Sequence, residues 1–165
     1  MSFASFAAAQ ILRILPRECI SRAVGRCCDL TMPSLVSQLV SRSYSQLFNV
    51  DMSEVAVPHG GYRSFDAFFT RPLRTGARAI ADAPLVSPAD GRLSALGPID
   101  DGARLFVKGQ PYEVGELLGN STDARRFVGG SFCVIYLSPR DYHRVHSPVD
   151  GFVEHVRAIE GELFP

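Results

Sequence analysis

Residues 138–151, SPRDYHRVHSPVDG, place two histidines three positions apart, His143 and His146, among Arg140, Asp141 and Arg144. Imidazole is the side chain whose ordinary proton affinity lies near neutral pH, so such a pair serves acid/base chemistry or metal binding. Zinc hydrolases of the H-E-x-x-H type need a spacing of four on a helix and an intervening glutamate. Here the spacing is three and no glutamate intervenes, so a zinc hydrolase built on His143 and His146 would need further ligands from His59, His155 or an aspartate. It stands as an alternative. In the acid/base reading, a carboxylate on the other ring nitrogen fixes the tautomer and stabilises the imidazolium. Asp90, in SPADG at residues 87–91, is the candidate carboxylate for one of the two histidines, although Asp-Gly is also a common hairpin turn. The nucleophile stays open. Ser87, Ser138 and Ser147 lie next to these motifs, but each precedes a proline and none sits in a G-x-S-x-G elbow.

These groups need elements to hold them. The apolar run FCVIYLSP reads as a buried strand that delivers RDYHRVHSP at its end, where scaffolds commonly present reactive groups. Other short apolar runs cut by Gly and Pro read as strands: LVSPADGRLSALGPI, ARLFVKG and GFVEHVRAI, with YEVGELLG as one or two helical turns between them. Upstream the texture is helical. FASFAAAQILRIL reads as a first helix stopped by Pro16, and a second runs through Ile20 and Val24. In PSLVSQLVSRSYSQLF, Leu35, Val36, Leu39, Val40, Leu47 and Phe48 recur at helical spacing behind Pro33. YRSFDAFFTRPL reads as a short helix capped by Ser64 and ended by Pro72, its phenylalanines an aromatic anchor. The expected class is therefore α+β: N-terminal amphipathic helices over residues 1–72, which associate with membrane, and a β-rich, mostly antiparallel body over 73–165. No internal repeat or long linker is read.

With 165 residues, 46% of them hydrophobic, the chain has enough apolar surface for one globular core. Seventeen basic and seventeen acidic residues cancel, and the aromatics do not alternate with basic clusters, which argues against a nucleic-acid partner. Cys19, Cys27, Cys28 and Cys133 lack both CxxC spacing and the scatter of a disulfide scaffold, so reduced thiols are expected. No stretch approaches the roughly 20 apolar residues that cross a bilayer. Within residues 1–50, however, Arg13, Arg17, Arg22, Arg26 and Arg42 face only Glu18 and Asp29. Such helices pack on a core, lie on anionic lipid with arginines toward the headgroups, or begin as an Arg-rich targeting leader.

FDAFFTRPLR, SPADGRLSALG, YLSPRDYHRVHSPVDG and the terminal EGELFP, in that order, resemble the bacterial phosphatidylserine decarboxylase family. The resemblance implies a precursor that cuts itself at a serine and converts that serine into a covalent pyruvoyl group. It implies that Asp90 orients His146, the base for self-cleavage, and that His143 serves the decarboxylation step. There the amine of phosphatidylserine joins the pyruvoyl carbonyl, an electron sink as carbon dioxide leaves, and phosphatidylethanolamine is released. It further implies an anionic membrane surface and a C-terminal α-chain portion of the same precursor as partners, and a homodimer. The implied location is peripheral on the cytoplasmic face of the cell membrane, with the mitochondrial inner membrane as the alternative. The Leu-Gly-Ser-Thr-like motif that carries the serine does not occur in these 165 residues. The chain is thus expected to be an N-terminal portion, inactive by itself. A non-catalytic membrane-binding β module is the alternative from a different class.

Overall fold

The computed structural model describes residues 17–159. The helix expected before Pro16 lies outside them, as does the terminal EGELFP. The described chain opens with helices α1 (Arg17–Asp29), α2 (Ser34–Phe48) and α3 (Phe65–Phe69). The second half carries β1 (Arg92–Pro98), β2 (Arg104–Val107), β3 (Gln110–Glu113), α4 (Val114–Leu118), α5 (Ser121–Ala124) and β4 (Ser131–Tyr136). This is the α+β arrangement expected, and both strand pairs are antiparallel.

Local chemistry sets the boundaries. α2 stops where Asn49 turns left-handed at φ 55°, a conformation Asn tolerates better than most residues. Ser64 caps α3 by accepting from the Ala67 amide at 3.1 Å, and the helix ends at Phe69, before Pro72 is reached. β2 and β3 are joined by Lys108 and Gly109, both at positive φ, the mirror-image turn that suits strand twist. β3 takes the first residues of what reads in sequence as helix, and only Val114–Leu118 coils. Pro111 fits because β3 has a partner on one side only.

α2 packs on the core, through Tyr44 and its serine face, but not through its leucines. Its buried residues are Ser37 and Ser41, whereas Leu35, Leu39 and Leu47 are 79%, 67% and 73% exposed. Small serines let the helix approach the segment at Tyr62, where the Ser37 hydroxyl donates to the Tyr62 carbonyl. The leucines face outward. The strand expected at GFVEHVRAI is absent: residues 151–159 run without regular structure, and Phe152, Val153 and Val156 are almost fully exposed. Among the described residues no strand lies alongside to satisfy that backbone, and an apolar run alone does not make a strand.

The core is split in two. Val55, Tyr62 and Phe68 form one cluster, supported by Tyr44, Met52, Phe65 and Leu73; Ile99, Val114 and Ala124 form the other, supported by Leu105 and Phe132. No helix among the described residues is long and apolar enough to cross a membrane, and all four cysteines are unpaired.

Candidate active site

Strand β4 ends at Tyr136, and the chain turns at once. In the turn of residues 138–141, Pro139 presets the backbone, the Asp141 amide donates to the Ser138 carbonyl at 2.9 Å, and the Asp141 carboxylate accepts from the Ser138 amide at 2.6 Å. The same Ser138 carbonyl lies 3.0 Å from Nε2 of His143. A carbonyl only accepts, so neutral His143 carries its proton on Nε2 and keeps Nδ1 as its basic nitrogen. The ring stacks on Phe69 of α3, centroids 4.0 Å apart. Burial pushes the His143 proton affinity below its ordinary value; the Arg71 charge acts in the same direction, while the bond to Ser138 and the Asp141 carboxylate oppose them.

His146 lives differently. It is exposed, stacks on Tyr142 and has Nε2 3.0 Å from the Tyr142 hydroxyl, whose rotation sets its tautomer. Its backbone amide donates to the Pro88 carbonyl at 2.8 Å, and two residues on the Pro148 carbonyl accepts from the Val86 amide at 2.9 Å. These bonds bracket Ser87 and Ser147 in an antiparallel pairing. The reciprocal donors are missing because residues 88 and 148 are prolines.

The two paired segments are SPADG and SPVDG, one S-P-x-D-G pentapeptide occurring twice. The expectation of no internal repeat is therefore corrected at this short scale. Both serines make the same bond, Ser87 Oγ to the Ala89 carbonyl at 2.8 Å and Ser147 Oγ to the Val149 carbonyl at 2.6 Å. Their hydroxyl protons are committed to the backbone, which leaves neither free as a nucleophile in this arrangement.

Asp90 does not sit in a hairpin turn between two strands, because no strand precedes it among the described residues. The glycine after it is required by close approach: a Cβ on Gly91 would lie 2.6 Å from the Tyr136 carbonyl oxygen of β4. The Asp90 carboxylate is bonded through Oδ2 to Arg78 Nε at 2.5 Å, and Arg78 also reaches Glu54 Oε2 at 2.8 Å. Glu54 first, then Asp90, holds Arg78 more firmly protonated than usual. The structure thus brings the Asp90 segment beside the His146 segment by backbone pairing, while the carboxylate itself is bonded to Arg78 and to neither histidine. A cavity of about 270 Å³ is lined by Asp90, Arg78, Glu54, Arg71, Arg140, Asp141 and Tyr142.

Arg78, Glu54 and Arg71 are not singled out by the sequence, and Phe69 only as one phenylalanine of an aromatic anchor. The signal for Arg71 is present in FDAFFTRPLR, one of the segments that carry the family resemblance. For the zinc alternative, no three His, Cys, Asp or Glu side chains gather in a metal-sized group among the described residues. His143 engages the Ser138 carbonyl and His146 the Tyr142 hydroxyl, and His59 and His155 do not join them.

A family model described as phosphatidylserine decarboxylase matches residues 65–165. The phosphatidylserine decarboxylase proenzyme of Myxococcus xanthus is 41% identical over 158 residues, covering 94% of this chain and 56% of that protein. The proenzymes of Bordetella avium and Azotobacter vinelandii are 43% and 40% identical, covering 92% of this chain and 52% and 54% of theirs. The chain spans about half the length of the curated relatives it matches. With the family match extending over the histidine loop and both S-P-x-D-G segments, the chain belongs to the phosphatidylserine decarboxylase family.

Proposed function

We propose that this chain is the first part of a phosphatidylserine decarboxylase precursor, and that the serine at which the precursor cuts itself lies outside the 165 residues. The observation that supports the reading is the pairing of the two S-P-x-D-G segments, which brings the segment that carries Asp90 alongside the one that carries His146 in a chain of this family. In this reading Oδ1 of Asp90, the oxygen that Arg78 does not take, is the one that orients His146 during self-cleavage. His146, exposed, then accepts the serine proton. His143, walled by Phe69 and biased toward the neutral form, holds the proton exchanged with substrate carbon.

The residues fit a pyruvoyl group, since a carboxylate and two imidazoles are proton-transfer groups and that group needs no metal ligands. When in place it supplies the electron-withdrawing carbonyl for loss of carbon dioxide. The exposed leucine face of α2 supports docking on an anionic membrane that presents phosphatidylserine. The remaining partners in this reading are the downstream portion of the precursor and a second copy of the chain. The location is the cytoplasmic face of the cell membrane or, alternatively, the mitochondrial inner membrane.

The test is expression of the full-length precursor. Self-cleavage is expected, with His146→Ala and Asp90→Ala abolishing it and His143→Ala cutting normally but decarboxylating poorly. A folded precursor with its serine intact that stays uncut sinks the reading, and normal turnover by His143→Ala removes His143 from the chemistry. The α2 face taken alone favours the non-catalytic membrane module, which vesicle binding without carbon dioxide release would establish.

A further inference from the structure

Arg71 is only 3% exposed, yet it forms no ion pair among the described residues. A buried cation without a partner costs several kcal/mol, so the surroundings must compensate. They do so at the tip of the side chain with carbonyl dipoles, while the buried Nε has no hydrogen-bond partner among the described residues: Nη2 donates to the Arg140 and Asp141 carbonyls, each at 2.9 Å, and the guanidinium lies 5.7 Å from the Phe68 ring centroid. We propose that Arg71 is the positioning residue of the histidine loop, its guanidinium clamping the two carbonyls of residues 140 and 141 so that the His143 imidazole is fixed against Phe69.

The connection is short in sequence on both sides. Phe69, which carries the His143 ring, and Arg71, which holds the loop two and three residues before His143, are separated by Thr70 alone. Thr70 takes part as well, its carbonyl accepting from Arg144 Nε at 2.7 Å, while the Tyr44 hydroxyl donates to the Pro139 carbonyl at 3.2 Å. The loop is therefore held at residues 139, 140, 141 and 144 by the helical half of the chain and not by the strand that delivers it. Both bonds leave one nitrogen, Nη2, at the far end of the guanidinium, one bond farther from Cα than a lysine ammonium reaches. The charged and titratable groups about His143 are Arg71 and Tyr44 from the helical side and Asp141 from its own loop; Arg140 leans on Asp141 and Arg144 on Thr70. Of these, Arg71 is the buried cation.

The inference rests on the decarboxylase reading only for why His143 is held. It is tested in the full-length precursor by amide hydrogen exchange over residues 138–146 and by NMR titration of His143, in Arg71→Lys, Arg71→Gln and Arg144→Met. Loss of charge-assisted bonds to two carbonyls is expected to speed exchange in the loop roughly tenfold or more in both Arg71 variants. The His143 midpoint is expected to rise in Arg71→Gln and to rise less in Arg71→Lys, which keeps the charge. Arg144→Met is expected to leave the His143 midpoint in place. A folded Arg71 variant with exchange and midpoint unchanged overturns the proposal. So does an Arg144→Met midpoint shifted as far as that of Arg71→Gln, and so does failure of both Arg71 variants to fold, which would make Arg71 a core residue. Neither readout needs turnover, so an uncut precursor would count against the decarboxylase reading and leave the clamp standing.

Discussion

His143 and His146 share one loop, and their surroundings divide them. Phe69 covers one face of His143 and the Ser138 carbonyl fixes its tautomer, whereas exposed His146 meets Tyr142 and is tied through its own backbone amide to Pro88. Because burial lowers the His143 proton affinity in the fold, the unfolded chain binds its proton more tightly. Stability from this site is therefore present above the ordinary histidine value of about 6.5 and declines as pH falls below it. The urea midpoint is expected to fall between pH 7.5 and pH 5.5, and to fall less in His143→Phe; an equal fall in both chains would remove His143 as the cause. Residue types and spacing made the histidines and Asp90 legible as candidates in sequence. Arg78 and Glu54 were not, because their meeting with Asp90 depends on loops that no local pattern encodes.

Among the elements, α2 shows how far a periodic pattern reaches. Its apolar spacing specified a helix correctly, yet the face that packs inward is the serine face at Ser37 and Ser41. Periodicity reports that two faces differ, and tertiary context decides which is buried. α3 was legible down to its cap because the Ser64 bond is local, whereas GFVEHVRAI was misread because strand formation depends on a partner that the run itself does not contain. The histidine loop was placed correctly after β4, and the pairing of the two S-P-x-D-G segments was missed because it is a long-range contact with no hydrophobic period. The outward leucines give a prediction at this scale. Leu35→Glu and Leu39→Glu are expected to change stability by no more than about 0.5 kcal/mol, since both sites are exposed. They are also expected to reduce sedimentation with phosphatidylserine vesicles, and unchanged sedimentation would exclude this face from membrane contact.

Over the whole molecule, the two clusters divide the work. The helical cluster around Phe68 positions Phe69 and Arg71, and the cluster around Ile99 and Val114 supports the strands that bring β4 to the loop. Phe68 is fully buried and meets Tyr44, Tyr62 and Phe65 edge-on or tilted, with centroids 5.3–5.9 Å away. Truncation to Ala removes that packing and leaves a cavity beneath the His143 platform, a loss of about 3–5 kcal/mol. Phe68→Ala is expected to lower the denaturation midpoint accordingly and to release the His143 stacking, seen as a changed ring-proton shift. Loss of stability with His143 unmoved would show that the platform is independent of this cluster.

The pairing of Val86 with Pro148 and of Pro88 with His146 also sets an order in time. All four strands lie between its two sides, so during synthesis the Asp90 segment must wait, unpaired, until the last turn of the histidine loop has left the ribosome. The two segments thus meet only after the whole intervening body has been made, and a nascent chain that stalls earlier carries the Asp90 segment without the backbone partner that fixes it.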